Sequence, residues 1–187
     1  MSTPRLLRRI SISAATSSLI LAGCATSYAP SADILGSTPA EVLPRHIGHE
    51  GRSVQLTRQV AERLRVPNDC KELAEVVARE HGHIHRSGEL GAAAILRLLT
   101  RCDAIRQPER FALVLQACEA DARGRLGCAD QDYPQAQRLA LALQAALGVV
   151  TADMAAQAAR EGLRGPAIGD RIEAARVCAI DTALNGV

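Results

Sequence analysis

The stretch Glu89-Leu-Gly-Ala-Ala-Ala-Ile-Leu-Arg-Leu-Leu-Thr-Arg-Cys-Asp103, followed four residues later by Pro108-Glu-Arg-Phe-Ala-Leu-Val-Leu-Gln-Ala-Cys118, decides the fold class. In the first part Ile95, Leu98, Leu99 and Cys102 recur at i, i+3, i+4 and i+7, the spacing of one α-helical face. In the second, Pro108 suits the first position of a helix, where its fixed φ is already helical and its missing N–H costs nothing. Phe111, Val114, Leu115 and Cys118 then form an inward face, and Gly124 closes the segment. Neither part alternates with period two, as a half-buried strand would.

The same punctuation repeats outward in both directions. Ser53 to Arg65 carries Leu56, Val60 and Leu64 on one face and stops before Pro67. Asn68 is a cap for a second helix with Leu73, Val76 and Val77 inward, ending in a cluster of histidines. Beyond the central pair, Pro134 opens a helix bearing Leu139, Leu143 and Leu147 to a stop at Gly148. Thr151 caps a short sixth, and Pro166 opens a seventh holding Ile168, Ile172 and Ala175. Seven amphipathic helices without a convincing strand predict an all-α fold, a helical bundle or superhelix. Composition agrees: among 187 residues aromatics are 2% and Trp is absent, whereas sheets favour aromatic and β-branched side chains.

The formal charge of +2 conceals an uneven distribution. Arg5, Arg8 and Arg9 precede Cys24 with no acid among them, so from Cys24 onward 19 basic residues face 20 acidic ones, a net of −1. A nucleic-acid surface, if present, must therefore be local. The six cysteines include no Cys-x-x-Cys pair and read as structural thiols, Cys102 and Cys118 on apolar helical faces. All five histidines lie between His46 and His85. His46 and His49 are three apart and His81 and His85 four apart, so each pair shares a face wherever the backbone is helical. Converging imidazoles can ligate a divalent metal or, when protonated, hold a phosphate. His83 and His85 read as solvated residues of glycine-rich turns. In Glu119-Ala-Asp-Ala-Arg-Gly-Arg125, two acids one turn before two arginines are a surface salt-bridge pattern. The other reading turns Asp121 into the histidine cleft and offers Arg123 and Arg125 to phosphate oxygens.

Five strings in register, Pro44-Arg-His-Ile-Gly-His49, Arg63-Leu-Arg-Val-Pro-Asn68, His81-Gly-His-Ile-His85, Glu119 to Arg125 and Asp132-Tyr-Pro-Gln135, resemble the rear half of the bacterial CCA-adding enzyme. That family is a tRNA nucleotidyltransferase with an appended HD phosphohydrolase domain, and the resemblance runs from about Gly36 to Ala179. It implies a truncated HD-type domain, tRNA as partner, and phosphate contacts from Arg123, Arg125, Arg138 and Arg164. It also implies a divalent metal, nickel, magnesium or manganese, among His46, His49, His81 and Asp121. The family's His-Asp doublet is lost, however. The corresponding stretch, Ser31-Ala-Asp-Ile-Leu-Gly-Ser-Thr-Pro39, keeps only Asp33, and Gly82 stands where some members carry Asp. Weak or absent metal binding and little phosphohydrolase activity are therefore expected. No glycine-rich nucleotide loop or pair of metal-binding aspartates precedes Gly36, so nucleotide addition is not expected either. With the family's front helices missing, the apolar faces of Val60, Leu64, Val76 and Val77 are expected to be uncovered, lowering stability or promoting self-association.

Residues 1–24 read as a lipoprotein signal: a basic start, an apolar run from Ile10 to Leu21 and the processing box Leu21-Ala-Gly-Cys24, with Cys24 as the lipidated residue. Residues 25–45 form a linker and 46–187 the helical body. A genuine signal places the protein as a membrane-attached lipoprotein on the periplasmic side; its structural thiols and the family resemblance place it in the cytoplasm. Two functions follow. The first is a tRNA-binding body without nucleotidyl transfer, a C-terminal fragment of a CCA-adding enzyme; the second is a lipoprotein whose helical module retains weak metal-dependent phosphohydrolase chemistry. The order of five motifs favours the first.

Overall fold

Prolines and glycines set the helix boundaries in the structure, a computed structural model that describes residues 48–186. Among these are seven α-helices: α1 (His49–Arg63), α2 (Asn68–His85), α3 (Ala92–Arg101), α4 (Pro108–Arg123), α5 (Pro134–Leu147), α6 (Thr151–Arg160) and α7 (Pro166–Asn185). A single 3₁₀ turn, Ser87–Glu89, joins α2 to α3, and no strand occurs among the described residues. Pro108, Pro134 and Pro166 each stand at a helix start as expected. The all-α architecture is therefore the one the periodicity predicts.

The core is built by α2, α3, α4, α5 and α7. Ile84, Ile95, Leu98, Leu99, Phe111, Leu139 and Ile180 are fully buried there, and Cys102 and Cys118 fill small gaps between them. All five cysteines among the described residues are free, and burial pushes the Cys102 thiol up to about 12. It is a neutral packing group at any ordinary pH. On the flanks, α1 packs against α2 and α6 against α7.

Polar ties fix the angles between helices. Between α3 and α4 the chain reverses at Asp103, whose φ of 55° is a left-handed conformation that a short polar side chain tolerates. Its carboxylate accepts hydrogen bonds from Arg106 at 2.7 Å, Gln107 at 3.0 Å and Arg110 at 3.2 Å. Arg110 reaches onward to Glu72 of α2 at 2.9 Å, so one junction orients three helices. At the end of α4, Gly124 keeps a right-handed φ of −69°. What favours glycine there is the Ala120 carbonyl oxygen, 3.0 Å from where a Cβ would sit.

Several sequence expectations change. Helix α1 begins at His49, four residues before Ser53, and its buried residues are Val54 and Ala61. Leu56 and Leu64 are exposed instead, Leu64 by 57%. A helix packed on one neighbour buries a narrow stripe, and small residues such as Ala61 allow the closest approach. Asn68 and Thr151 are the first helical residues and not caps; Pro67 and Val150 precede them, and neither start carries a side-chain capping bond. Leu147 is exposed where α5 ends. Val76 and Val77, expected to be uncovered, lie in the core, so only Leu64 and the half-buried Val60 remain of that face.

The two classes of leucine make opposite predictions. Leu98→Ala should cost about 2–5 kcal/mol in urea denaturation, because it leaves a cavity in a closed core. Leu64→Ala should stay within about 0.5 kcal/mol of the parent, as for most surface positions. A loss from Leu64→Ala as large as that from Leu98→Ala would show that α1 presses its leucine face on the body.

Candidate functional site

The last two turns of α2 place His81 and His85 on one face and leave His83 exposed on another, with its Nδ1 3.4 Å from Glu80. His49, the first residue of α1, meets His81 edge to face with ring centroids 5.4 Å apart. His81 meets His85 at 5.9 Å, and His85 meets Tyr133 at 5.7 Å. Four rings thus form a train from the start of α1 to the residue before α5.

His85 is the hub of this train. Its Nε2 lies 3.0 Å from Oδ2 of Asp121 near the end of α4, and its Nδ1 lies 2.8 Å from the Tyr133 hydroxyl. A carboxylate only accepts, so Nε2 carries the proton and donates it. Gln135, in the first turn of α5, donates through Nε2 to the His85 backbone carbonyl at 3.1 Å. The end of α2, the end of α4 and the start of α5 are thereby joined at one imidazole. Burial pushes the Tyr133 hydroxyl above the ordinary phenol range, so it stays protonated as a hydrogen-bonding group. Beside this junction lies a cleft of about 200 Å³, lined by His85, Arg123, Arg125, Asp132, Tyr133 and Gln135 among others.

His81 is buried, and its Nδ1 donates within its own helix to the Val77 carbonyl at 3.1 Å. Burial first, and then the neighbouring His49, hold its pKa below the ordinary imidazole value. His49, His81 and Asp121 do not converge as ligands. His85 occupies Asp121, and no group of three His, Cys, Asp or Glu side chains among the described residues is arranged to hold a metal ion. His46, Asp33 and Cys24 lie outside the described residues. His85 corrects the sequence reading: it belongs to a helix and makes the site's central contacts, whereas a solvated turn residue was expected. Its partners stand 36 and 48 residues away, beyond the reach of local pattern. The available signal was the four-residue spacing from His81, which puts both rings on one helical face.

The four candidate arginines are not equivalent. Arg123 pairs with Glu119 at 3.0 Å and Arg125 with Asp121 at 3.5 Å, both one turn apart on or just past α4. The surface salt-bridge pattern is present, and both side chains still border the cleft. Arg138 is half-buried on α5 and donates to the Leu90 carbonyl at 3.2 Å, tying α5 to the segment before α3. Arg164 is exposed in the loop between α6 and α7.

Over 145 residues the chain is 63% identical to the multifunctional CCA protein of Acidovorax sp. (strain JS42). The chain is homologous to part of the multifunctional CCA proteins. Comparable relatives are the multifunctional CCA proteins of Paracidovorax citrulli, 64% identical over 141 residues, and Cupriavidus necator, 59% identical over 151. These matches take in 78%, 75% and 81% of this chain but only 34%, 34% and 36% of the relatives, so the chain spans about a third of their length. A stretch of 145 residues in a chain of 187 includes residues 43–145 wherever it starts, so the whole His85 junction lies inside the shared region. No protein-family model and no solved structure matches the chain. Among the described residues no single helix is long and apolar enough to cross a membrane. Only α5 and α6 together, bent by 45°, meet that composition, and α5 is a core helix.

The histidine train makes stability depend on pH. With His81 depressed in the folded state and near about 6.5 when unfolded, the unfolded chain binds more protons as pH falls through that value. Stability is therefore present above about pH 6.5 and lost below it. The urea midpoint of the parent should fall between about pH 7 and pH 5, and that of His81→Gln should fall less. Parallel curves for the two proteins would contradict this origin. Tyr133→Phe should cost about 0.5–1.5 kcal/mol at neutral pH by removing one hydrogen bond from His85. An unchanged midpoint would show that the hydroxyl contact contributes nothing.

Proposed function

We propose that the helical body binds tRNA, as a part of a protein of the multifunctional CCA type, and that its histidine cleft works by hydrogen bonding and not through a bound metal. The observation that carries this reading is the 63% identity over a stretch that takes in the entire junction of α2, α4 and α5. The matched stretch takes in the cleft and most of the core residues. The cleft supplies the chemistry of an RNA contact: two arginine forks, a tyrosine, a glutamine and a histidine at the edge of one helical junction. Against metal chemistry stands the lack, among the described residues, of three His, Cys, Asp or Glu side chains grouped to hold an ion, since a metal-activated water needs several ligands and an open position. Residues 1–24 are proposed to precede this body without contributing to it, and 25–45 to link them.

The test is titration of a fluorescent tRNA transcript lacking its CCA end, beside a single-stranded RNA of equal length, at about 50 and 200 mM salt. The expected result is preference for tRNA and an affinity that falls steeply with salt. Arg123→Ala combined with Arg125→Ala should flatten the log–log salt slope by about one unit per phosphate contact removed. Equal, weak binding of both RNAs would overturn the tRNA reading. For the cleft, hydrolysis of a 2′,3′-cyclic nucleotide with added nickel, manganese or magnesium should match the rate without protein; turnover abolished by His81→Ala would overturn the metal-free reading.

A further inference from the structure

A second cationic surface lies on α2 and α3, outside the cleft. Its centre is the carboxyl group of Glu80, 1% exposed. Arg101, the last residue of α3, grips this carboxylate through Nε at 3.0 Å and Nη2 at 3.0 Å. Arg79 donates to it from Nε at 3.1 Å and to the Arg101 carbonyl from Nη2 at 3.1 Å. Nη1 of each guanidinium is left outside this clasp, and each arginine side chain is 44% exposed. One buried anion thus holds two arginines side by side at the surface.

The neighbours extend the same charge. On α2 and its C-cap, Arg79 and Arg86 stand seven residues apart, which puts them on one face over about 10 Å of helix. On α3, Arg97 stands one turn before Arg101, and it is exposed. The acid one turn before Arg79 is Glu75, and Arg58 of α1 already occupies it at 2.8 Å. A positive band therefore crosses α2 and α3 on a chain whose charge from Cys24 onward is −1.

We propose that this band is a docking surface for the phosphate backbone of an RNA duplex. Four physical points carry the assignment. Two like charges are brought together at the cost of desolvating Glu80, and apolar residues commonly replace such a buried ionic group without loss of stability. Fixing both guanidinium groups before the partner arrives removes the entropy that two loose arginines would lose on binding. Arginine forks match phosphate oxygens in geometry as well as charge. A row about 10 Å long spans successive phosphates of one strand.

The proposal rests on the reading of this body as an RNA binder, and its test separates the two. Arg86→Ala combined with Arg97→Ala leaves the clasp intact and alters only exposed positions. Its binding is compared with the parent and with the Arg123→Ala/Arg125→Ala variant, using a tRNA transcript and an RNA hairpin duplex of unrelated sequence across a salt series. The expected result is a log–log salt slope flatter by about two for Arg86→Ala/Arg97→Ala, with both RNAs. A slope equal to the parent's, while the Arg123→Ala/Arg125→Ala slope falls, would overturn the band and leave tRNA binding standing. Equal affinity for hairpin and tRNA with a flattened slope would support the band and overturn the preference for tRNA. No binding of either RNA by the parent would overturn both.

Discussion

His85, held between Asp121 and Tyr133, is the contact on which the arrangement of α2, α4 and α5 around the cleft depends. Apolar packing drives the helices together, but hydrophobic burial is non-directional and leaves their ends free to slide. An imidazole bonded at both ring nitrogens has one orientation. Its backbone carbonyl is bound by Gln135 as well, so the end of α2 cannot move relative to α5 without breaking two contacts, or relative to α4 without breaking the bond to Asp121. The Asp103–Arg110–Glu72 junction does the same at the other end of α4. Between these two ties, α2 and α4 are fixed along their lengths and the core behind them is closed.

This rigidity has a chemical consequence. A carboxylate and an imidazole that satisfy one another in a partly buried setting are stable as a pair and fix the orientation of both groups. The same pairing leaves the outer rim of the cleft to Arg123 and Arg125, and leaves α2 to present its other face to solvent. On that face a buried glutamate organises two arginines. The described body therefore uses hydrogen-bonded pairs inside and guanidinium groups outside, the division on which the proposed RNA contacts rest.

Much of the fold was legible in the sequence, because proline at helix starts and the recurrence of Ile95, Leu98, Leu99 and Cys102 are local consequences of helical geometry. The seven helices and the core faces of α3 and α4 follow from them directly. What misled was the assumption that the largest apolar residues point inward: α1 buries Val54 and Ala61 and exposes Leu64, because among the described residues it packs chiefly on α2 and buries only a narrow stripe. The site was legible in part. The motif order located His81, Asp121 and the Tyr133 string together, but the role of His85 depends on partners from two other helices. Glu80 escaped notice altogether, since a glutamate flanked by arginine and histidine looks like any solvated helix surface until α3 covers it.

The most direct measurement of whether these surfaces receive RNA is NMR of the arginine Nε–Hε groups during titration with tRNA. Phosphate contacts report there without mutation. The expected outcome is that the resonances of Arg79, Arg97, Arg101 and the Arg123–Arg125 pair shift together and saturate, while Arg171, paired with Glu161 between α6 and α7, stays in place. Resonances that all remain unmoved at saturating tRNA, or a shift confined to Arg171 and its surroundings, would contradict the account.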